Sequence, residues 1–325
     1  MESGPFLRSA NLGIVTLNQG WIYQEQVKKA DAGLSLLDYY VNRYRHSSRE
    51  EWQERIASGQ VLLNGQLAAE DTPLRPGQQL TYHRTPWEEP EVPLTFEVLY
   101  EDSDLLVVAK PSGLPVLPGG GFLEHTLLWQ LQLRYPHSTP VPIHRLGRGT
   151  SGLMLLARSH LAKSHLSRQM RESTAEAHPK SVRKTYRALI GPSQLPDHST
   201  LTTPIGKVPH PVLGYVYGAK SDGLPAHSEV QVLKRHPEST LLEVTIRTGR
   251  PHQIRIHLAA AGYPLLGDPL YTAGGIPRPI TVDSTGKLPV PGDCGYWLHA
   301  YQLCFTHPQT LKPMAFQCPP PLELT

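Results

Sequence analysis

The chain is short of cysteine, short of aromatic residues and without any long apolar run, and each shortage excludes something. Its three cysteines, Cys294, Cys304 and Cys318, gather near the C-terminus without Cys-x-x-Cys spacing. That argues against a disulfide framework or a zinc ribbon and suits a reducing compartment. No segment approaches the roughly 18 apolar residues of a membrane span, and Met1 to Gln19 lacks the basic start and apolar stretch of a signal peptide. Spanning and secretion are therefore disfavoured, and a cytoplasmic protein is expected. Net charge is also small, Lys plus Arg 31 against Asp plus Glu 28 in 325 residues, a formal +3, so a polyanion partner would have to be recognised through the distribution of charge. What is abundant is Pro (32) and Gly (27), which means many turns and excludes an all-helical bundle.

One absence is local. From His125 to Arg171 there is no Asp or Glu, while Arg134, Arg145, Arg148, Arg158, Lys163, Arg168 and Arg171 supply fixed positive charge. A solvated helix face would explain this blandly. The sharper reading is a phosphate-facing surface, because unpaired cations are what counterion release on a polyanion favours. Arg183, Lys184, Arg187, Arg247, Arg250 and Arg255 extend the same sign.

Periodicity divides the chain. Residues 1–24 read as an irregular arm. Within 25–84, Leu34, Leu37, Val41 and Tyr44 fall at helical spacing, Ser48-Arg-Glu-Glu51 is a capping box opening a second helix closed by Gly59, and Val61-Leu-Leu-Asn-Gly65 begins a hairpin. Residues 85–93, with Pro86, Pro90 and Pro93, read as a linker. Residues 94–325 alternate short strand patterns, such as Leu105–Ala109, Leu153–Ala157, Thr185–Ile190, Val230–Leu233 and Leu241–Ile246, with helices at Thr126–Arg134, Ser159–Glu172 and His252–Ala261. The fold class expected is α+β with a mainly antiparallel mixed sheet, preceded by a small α/β module.

Gly147-Arg-Gly149-Thr-Ser-Gly152 matches the dinucleotide pattern, but a strand-length apolar run follows it where a helix is required. Ser151 lacks the glycine that a nucleophile elbow needs at Leu153, and His252 and His257 do not form a zinc motif. Nucleotide, hydrolase and metal readings are thereby weakened, and no metal is expected.

The run Ile143-His-Arg-Leu-Gly-Arg-Gly-Thr-Ser-Gly-Leu153 resembles the H-R-L-D-x-x-T-S-G signature of RluA-type pseudouridine synthases. Tyr100–Val116, Lys184-Thr-Tyr186, Thr248–His257, Leu266–Tyr271 and Leu298–Leu303 resemble further blocks of that family, in order. The likeness covers about Leu94 to Pro308, and Gly33 to Arg84 is similar to an S4 RNA-binding module. The resemblance implies isomerisation of uridine in structured RNA, rRNA or tRNA, by a monomer without cofactor. It implies Tyr186 as the ring stacked on uracil and a candidate base, and Arg250 as the cation orienting a carboxylate. His144 and Arg145 would shape the loop and help extrude the base, and Arg148, Thr150, Ser151, Lys184, His252, Gln253 and Arg255 would contact RNA. The family's essential aspartate falls at Gly147, which has no side chain. Asp268, Asp104 and Asp102 are the candidates to replace it, and a non-catalytic RNA-binding protein is the alternative.

Overall fold

A computed structural model describes residues 16–44, 46–173, 182–211, 213–279 and 294–325. The chain separates into two units, Met1–Pro90 and Glu91–Thr325.

In the first unit, strand β1 (Trp21–Gln26) is followed by helices α1 (Leu36–Arg43) and α2 (Arg49–Ala57) and strands β2 (Val61–Leu63), β3 (Gln66–Leu67) and β4 (Gln79–Arg84). Ser48 begins α2 as its sequence suggests. The Ser48 hydroxyl accepts from the Glu51 amide at 3.2 Å, and the Glu51 carboxylate accepts from the Ser48 amide at 2.6 Å. The sheet order is β1-β4-β2-β3. Its core packs Leu36, Leu37, Tyr40, Trp52 and Ile56 of the helices onto Val61, Leu63 and Leu80.

The arm and linker boundaries shift. Trp21–Gln26 is a strand paired with β4 along its whole length, so the module begins before residue 25. Of the arm, residues 1–15 lie outside the described residues. At the other side, Leu17 bridges Glu88 and buried Asn18 donates to Glu89 at 2.7 Å, which draws part of the supposed linker into the unit.

The second unit contains β5 (Glu97–Glu101), β6 (Leu105–Lys110), α3 (Leu127–Arg134), β7 (Val141–Pro142), β8 (Ser151–Ala157), α4 (His160–Glu172), β9 (Arg183–Ile190), β10 (His198–Leu201), β11 (Ile205–His210) and β12 (Gly214–Ala219). It continues with β13 (Ser228–Arg235), β14 (Thr240–Ile246), α5 (Gln253–Ala260), β15 (Tyr271–Thr272), β16 (Ile276–Pro277), β17 (Leu298–Thr306) and β18 (Pro313–Gln317). The main sheet runs β10-β13-β14-β9-β17-β8-β6-β5, with β18 on β17 and β7 on β8. Every pairing in it is antiparallel except β17 with β8. The α+β class and mainly antiparallel sheet are those expected.

The parallel contact is brief, only His299↔Ser151 and Ala300↔Gly152. Beyond it the strands part. β18 takes over the edge of β17, while Ile143 and β7 take over the edge of β8, with the Ile143 amide donating to Leu155 O at 3.0 Å. Gly152 makes the contact possible. Its φ is +104°, and a Cβ there would lie 2.3 Å from Ala300 O, so only glycine lets the two backbones meet. No helix among the described residues is long and apolar enough to cross a membrane.

Candidate active site

The segment from Ile143 to Thr150 enters the fork between β8 and β17 and is fixed mainly by backbone partners. The Thr150 amide donates to Gly147 O at 3.1 Å, closing a turn that leaves Gly147 half-buried at its head. Lys110, almost fully buried, donates its ammonium to the carbonyls of Pro111, Leu114 and Arg148, and Ser112 donates to Gly149 O at 2.7 Å. An ammonium satisfied by three carbonyls is an anchor for the loop.

The His144 ring accepts from the Leu155 amide at Nε2, 3.1 Å away, so its proton sits on Nδ1. Burial, reinforced by the neighbouring Lys184, pushes His144 down to about 3. His144 is therefore a neutral splint for the loop at ordinary pH. Arg145 is exposed and has no partner among the described residues. The Arg148 guanidinium lies 5.0 Å from the centre of the Phe122 ring.

Cross-strand register places Tyr186, Ala300 and Gly152 in one row across β9, β17 and β8, on one face of the sheet. The Tyr186 ring is buried, with Leu146 and Ile254 in the same core. Its hydroxyl makes no hydrogen bond among the described residues, and burial alone pushes its pKa up to about 12. It is a neutral phenol beside a floor of the two smallest side chains, glycine and alanine. Lys184 shares that face of β9, and burial lowers its ammonium to about 8.

Several expected RNA contacts are instead internal. Gln253, almost fully buried, accepts from the Thr248 hydroxyl and the Arg250 amide and donates to His227 O and the Ser228 hydroxyl. The Ser228 hydroxyl passes a hydrogen bond to His257 Nδ1, and His257 Nε2 donates to Thr203 O. The amide of Gln253 is thus fully consumed, and its sequence position gave no sign of this. Thr150, also buried, pairs with the Tyr296 hydroxyl at 3.1 Å. Ser151 lies on the opposite face from Tyr186 and donates to His299 Nδ1 at 2.9 Å, while His299 Nε2 donates to Cys318 O. His252, at φ 55°, hydrogen-bonds the Tyr271 hydroxyl at 2.8 Å.

The two arginines of the Thr248–His257 block differ. Arg250 donates Nε to Pro225 O and its amide to Gln253. Arg255, only 2% exposed, makes a two-pronged pair with Asp268 at 2.8 and 2.9 Å. Its guanidinium lies 4.2 Å from the Tyr296 ring, whose hydroxyl meets Thr150, so a continuous chain of contacts runs from Asp268 through Arg255 to the turn at Gly147. Sequence spacing could not distinguish Arg255 from Arg250. The signal lay in the following block, where Asp268 supplies the partner.

The three candidate replacement acids are otherwise occupied. Asp268 also accepts from the Leu270 and Tyr271 amides, and although burial opposes ionisation, these donors and Arg255 hold it below the usual carboxylate range. Asp102 and Asp104 lie beside the Leu105 end of β6, and Gly152 pairs with the opposite end at Lys110. Asp102 there accepts from Tyr100 and His307, and Asp104 from Ser159 at 2.6 Å. The cluster Asp102, Asp104 and His307 could geometrically hold a metal ion, but each group already caps a turn or a neighbouring side chain. His307 Nδ1, for instance, accepts from the amides of Gln309 and Thr310.

Comparison with known proteins agrees with this architecture. Residues 104–260 match the family model described as RNA pseudouridylate synthase. A protein of Synechocystis named as an uncharacterized RNA pseudouridine synthase is 52% identical over 289 residues, 89% of this chain and 95% of its own length. RNA pseudouridine synthase 5 of Arabidopsis thaliana is 41% identical over 329 residues, 88% of this chain and 89% of that protein. Ribosomal large subunit pseudouridine synthase D of Neisseria meningitidis is 34% identical over 290 residues, 86% of this chain and 73% of that protein. Among solved structures, human RNA pseudouridylate synthase domain containing 4 superposes with a TM-score of 0.51 at 25% identity, covering 70% of this chain and 90% of that one. The chain belongs to the RNA pseudouridine synthase family.

Proposed function

We propose that the protein isomerises uridine to pseudouridine within a structured RNA, rRNA or tRNA, acting as a cytoplasmic monomer, with the site at the Gly147 turn and residues 25–84 serving as an S4-like RNA-binding module. The reaction breaks the N1–C1′ bond, forms C5–C1′, removes the proton from C5 and leaves one on N1, so that atoms balance and there is no net redox change. It asks for a flat surface to hold the displaced uracil and a preorganised polar environment around the sugar. The observation that carries the reading is Tyr186, a neutral, unpartnered phenol facing Ala300 and Gly152 in the row that leads to the fork. A uridine extruded from its helix could stack there. Arg145, exposed and without a partner among the described residues, is suited to an RNA phosphate beside the Gly147 turn. In this reading Arg255, rather than Arg250, is a positioning residue, supporting the Gly147 turn through Tyr296 and Thr150.

Gly147 favours a second reading, RNA binding without isomerisation, because none of Asp102, Asp104 and Asp268 has a carboxylate free to take the missing side chain's place. One experiment separates the two. Pseudouridine is mapped in RNA from cells lacking the gene, and the purified protein is then incubated with that RNA. Loss of one or a few sites, restored by the protein, is the expected result; unchanged sites with an inert protein support the binding-only reading. In the active protein, Tyr186→Phe is expected to lower turnover by about 100- to 10,000-fold, the range of a lost general acid or base, with RNA affinity unchanged.

A further inference from the structure

Strand β9 presents two ionisable side chains on one face, Lys184 and Tyr186, two residues apart. Lys184 lies opposite Ile246 on β14 and Leu303 on β17, whose side chains offer it no polar atom, while Tyr186 lies opposite Val244 and Ala300. The loop leading to Gly147 is a further neighbour. The Lys184 charge bears on the ring of His144, three residues before Gly147 and itself neutral. Among the described residues the Lys184 ammonium has no hydrogen bond and no ion pair.

That is an unusual place to leave a cation. Surrounding protein pushes the ammonium down to about 8, so it still holds its proton at neutral pH, yet the side chain is only half-buried and keeps a way out to solvent. A charge crowded by apolar neighbours is disfavoured unless something of opposite sign meets it. The described residues do not supply that partner. Position 147 has no side chain, Asp268 is held by Arg255 at 2.8 and 2.9 Å, and Asp102 and Asp104 belong to the far end of β6.

The reaction does supply one. When N1–C1′ breaks, its electron pair leaves with the uracil, and the ring carries a negative charge until C5 has bonded to C1′ and N1 has taken a proton. We propose that Lys184 is a catalytic residue that faces this uracil anion on the Tyr186 side of the sheet, offsetting its charge and then giving N1 a proton. The proton lost from C5 recharges the amine, so atoms and charge balance with no oxidant or reductant. A cation fixed in advance beside a developing charge is a strong form of transition-state stabilisation. The inference deepens the pseudouridine reading and rests on it. An RNA phosphate would also suit an ammonium, and the test separates the two.

Turnover of the full-length protein is measured at saturating structured RNA, and RNA affinity separately. Lys184→Met is expected to lower turnover by about 100- to 10,000-fold, the range of a lost general acid, with affinity unchanged. Lys184→Arg keeps the charge but has no proton to give at ordinary pH, and is expected to retain affinity and only part of the turnover. Wild-type turnover should fall as pH rises through about 8, where the ammonium is lost. The groups facing Lys184, His144 at about 3 and Tyr186 at about 12, do not account for such a fall, and Lys184→Arg should not show it. Circular dichroism checks folding, and the arginine variant decides alone if Lys184→Met does not fold. Weaker affinity at unchanged turnover in Lys184→Met overturns the proposal and assigns the ammonium to a phosphate. So does Lys184→Arg with wild-type turnover. An inert wild-type protein overturns this inference and the proposed function together, whereas an active wild type indifferent to Lys184 overturns this one alone.

Discussion

Arg255 and Asp268 have almost no contact with solvent, and that changes what mutating either would mean. A buried charge left without its partner typically costs about 3–5 kcal/mol. Asp268→Asn is therefore expected to lower unfolding free energy by about that amount, measured by urea denaturation, and any loss of activity would follow from the displaced Arg255 and Tyr296. A stable but inactive Asp268→Asn would instead show that the carboxylate takes part in the reaction.

The buried histidines make a second expectation at the same scale. Burial holds His144 at about 3 and His257 at about 4, below an ordinary value of 6.5. Both folded values are depressed, so the associated stability is complete above pH 6.5 and is lost as pH falls through the folded values, while the unfolded chain takes up protons that the native state refuses. The urea midpoint should fall between pH 6.5 and 4. His257→Gln should flatten that slope by about one proton; an unchanged slope would place the proton uptake elsewhere.

Among the elements, the strand β8 carries the closest steric constraint. With a Cβ at position 152 only 2.3 Å from Ala300 O and φ at +104°, Gly152→Ala combines a backbone clash with left-handed strain, and a loss of about 1–3 kcal/mol is expected as the seam gives way locally. Near-normal thermal unfolding of that variant would mean that β8 and β17 do not meet as described. The helices were legible because their caps are local. Ser48, Thr126 and Ser159 each cap the helix that follows them. Strands β6, β8, β9, β13 and β14 were legible because they are apolar or alternate in short runs.

β1, whose Trp-Ile-Tyr run is followed by three polar residues and is exposed on both faces, and β11 and β12, which carry glycine and proline, lack such a pattern. The same holds at the site. The ordered blocks located the loop and Tyr186, but nothing local distinguishes a glutamine or arginine that faces RNA from one consumed in the core. Gln253 and Arg255 acquire their partners from Ser228 and Asp268, residues separated from them in the sequence and joined only by folding.

Across the whole molecule, the acid-free stretch turns out not to be free of acids in space. Arg158 pairs with Glu101 at 3.0 Å, supplied by β5, and Arg168 approaches Glu172 at 3.9 Å, one residue past the end of the stretch. The cations left for RNA are fewer than the sequence count suggests, with Arg145 the clearest. Each unit has its own apolar core, one built on Trp52 and Leu80 and the other on β6, β8 and α3. A fragment of residues 91–325 is therefore expected to unfold cooperatively in urea with a native-like far-UV circular dichroism spectrum. A fragment without a cooperative transition would show that the second core depends on the first unit.

The two-residue contact between β17 and β8 also has a mechanical side. Most neighbours in the main sheet are joined by four or more residue pairs, whereas here His299↔Ser151 and Ala300↔Gly152 carry the seam with the help of the Ser151–His299 hydrogen bond. Such a seam can part at a small fraction of the free energy needed to unfold either half. Amide exchange should then divide at this line, with the amides of β8 and β17 at the contact exchanging through local opening while those of β6 and β14 wait for global unfolding. In the proposed reading, the substrate meets a sheet already scored along the line where its base would enter.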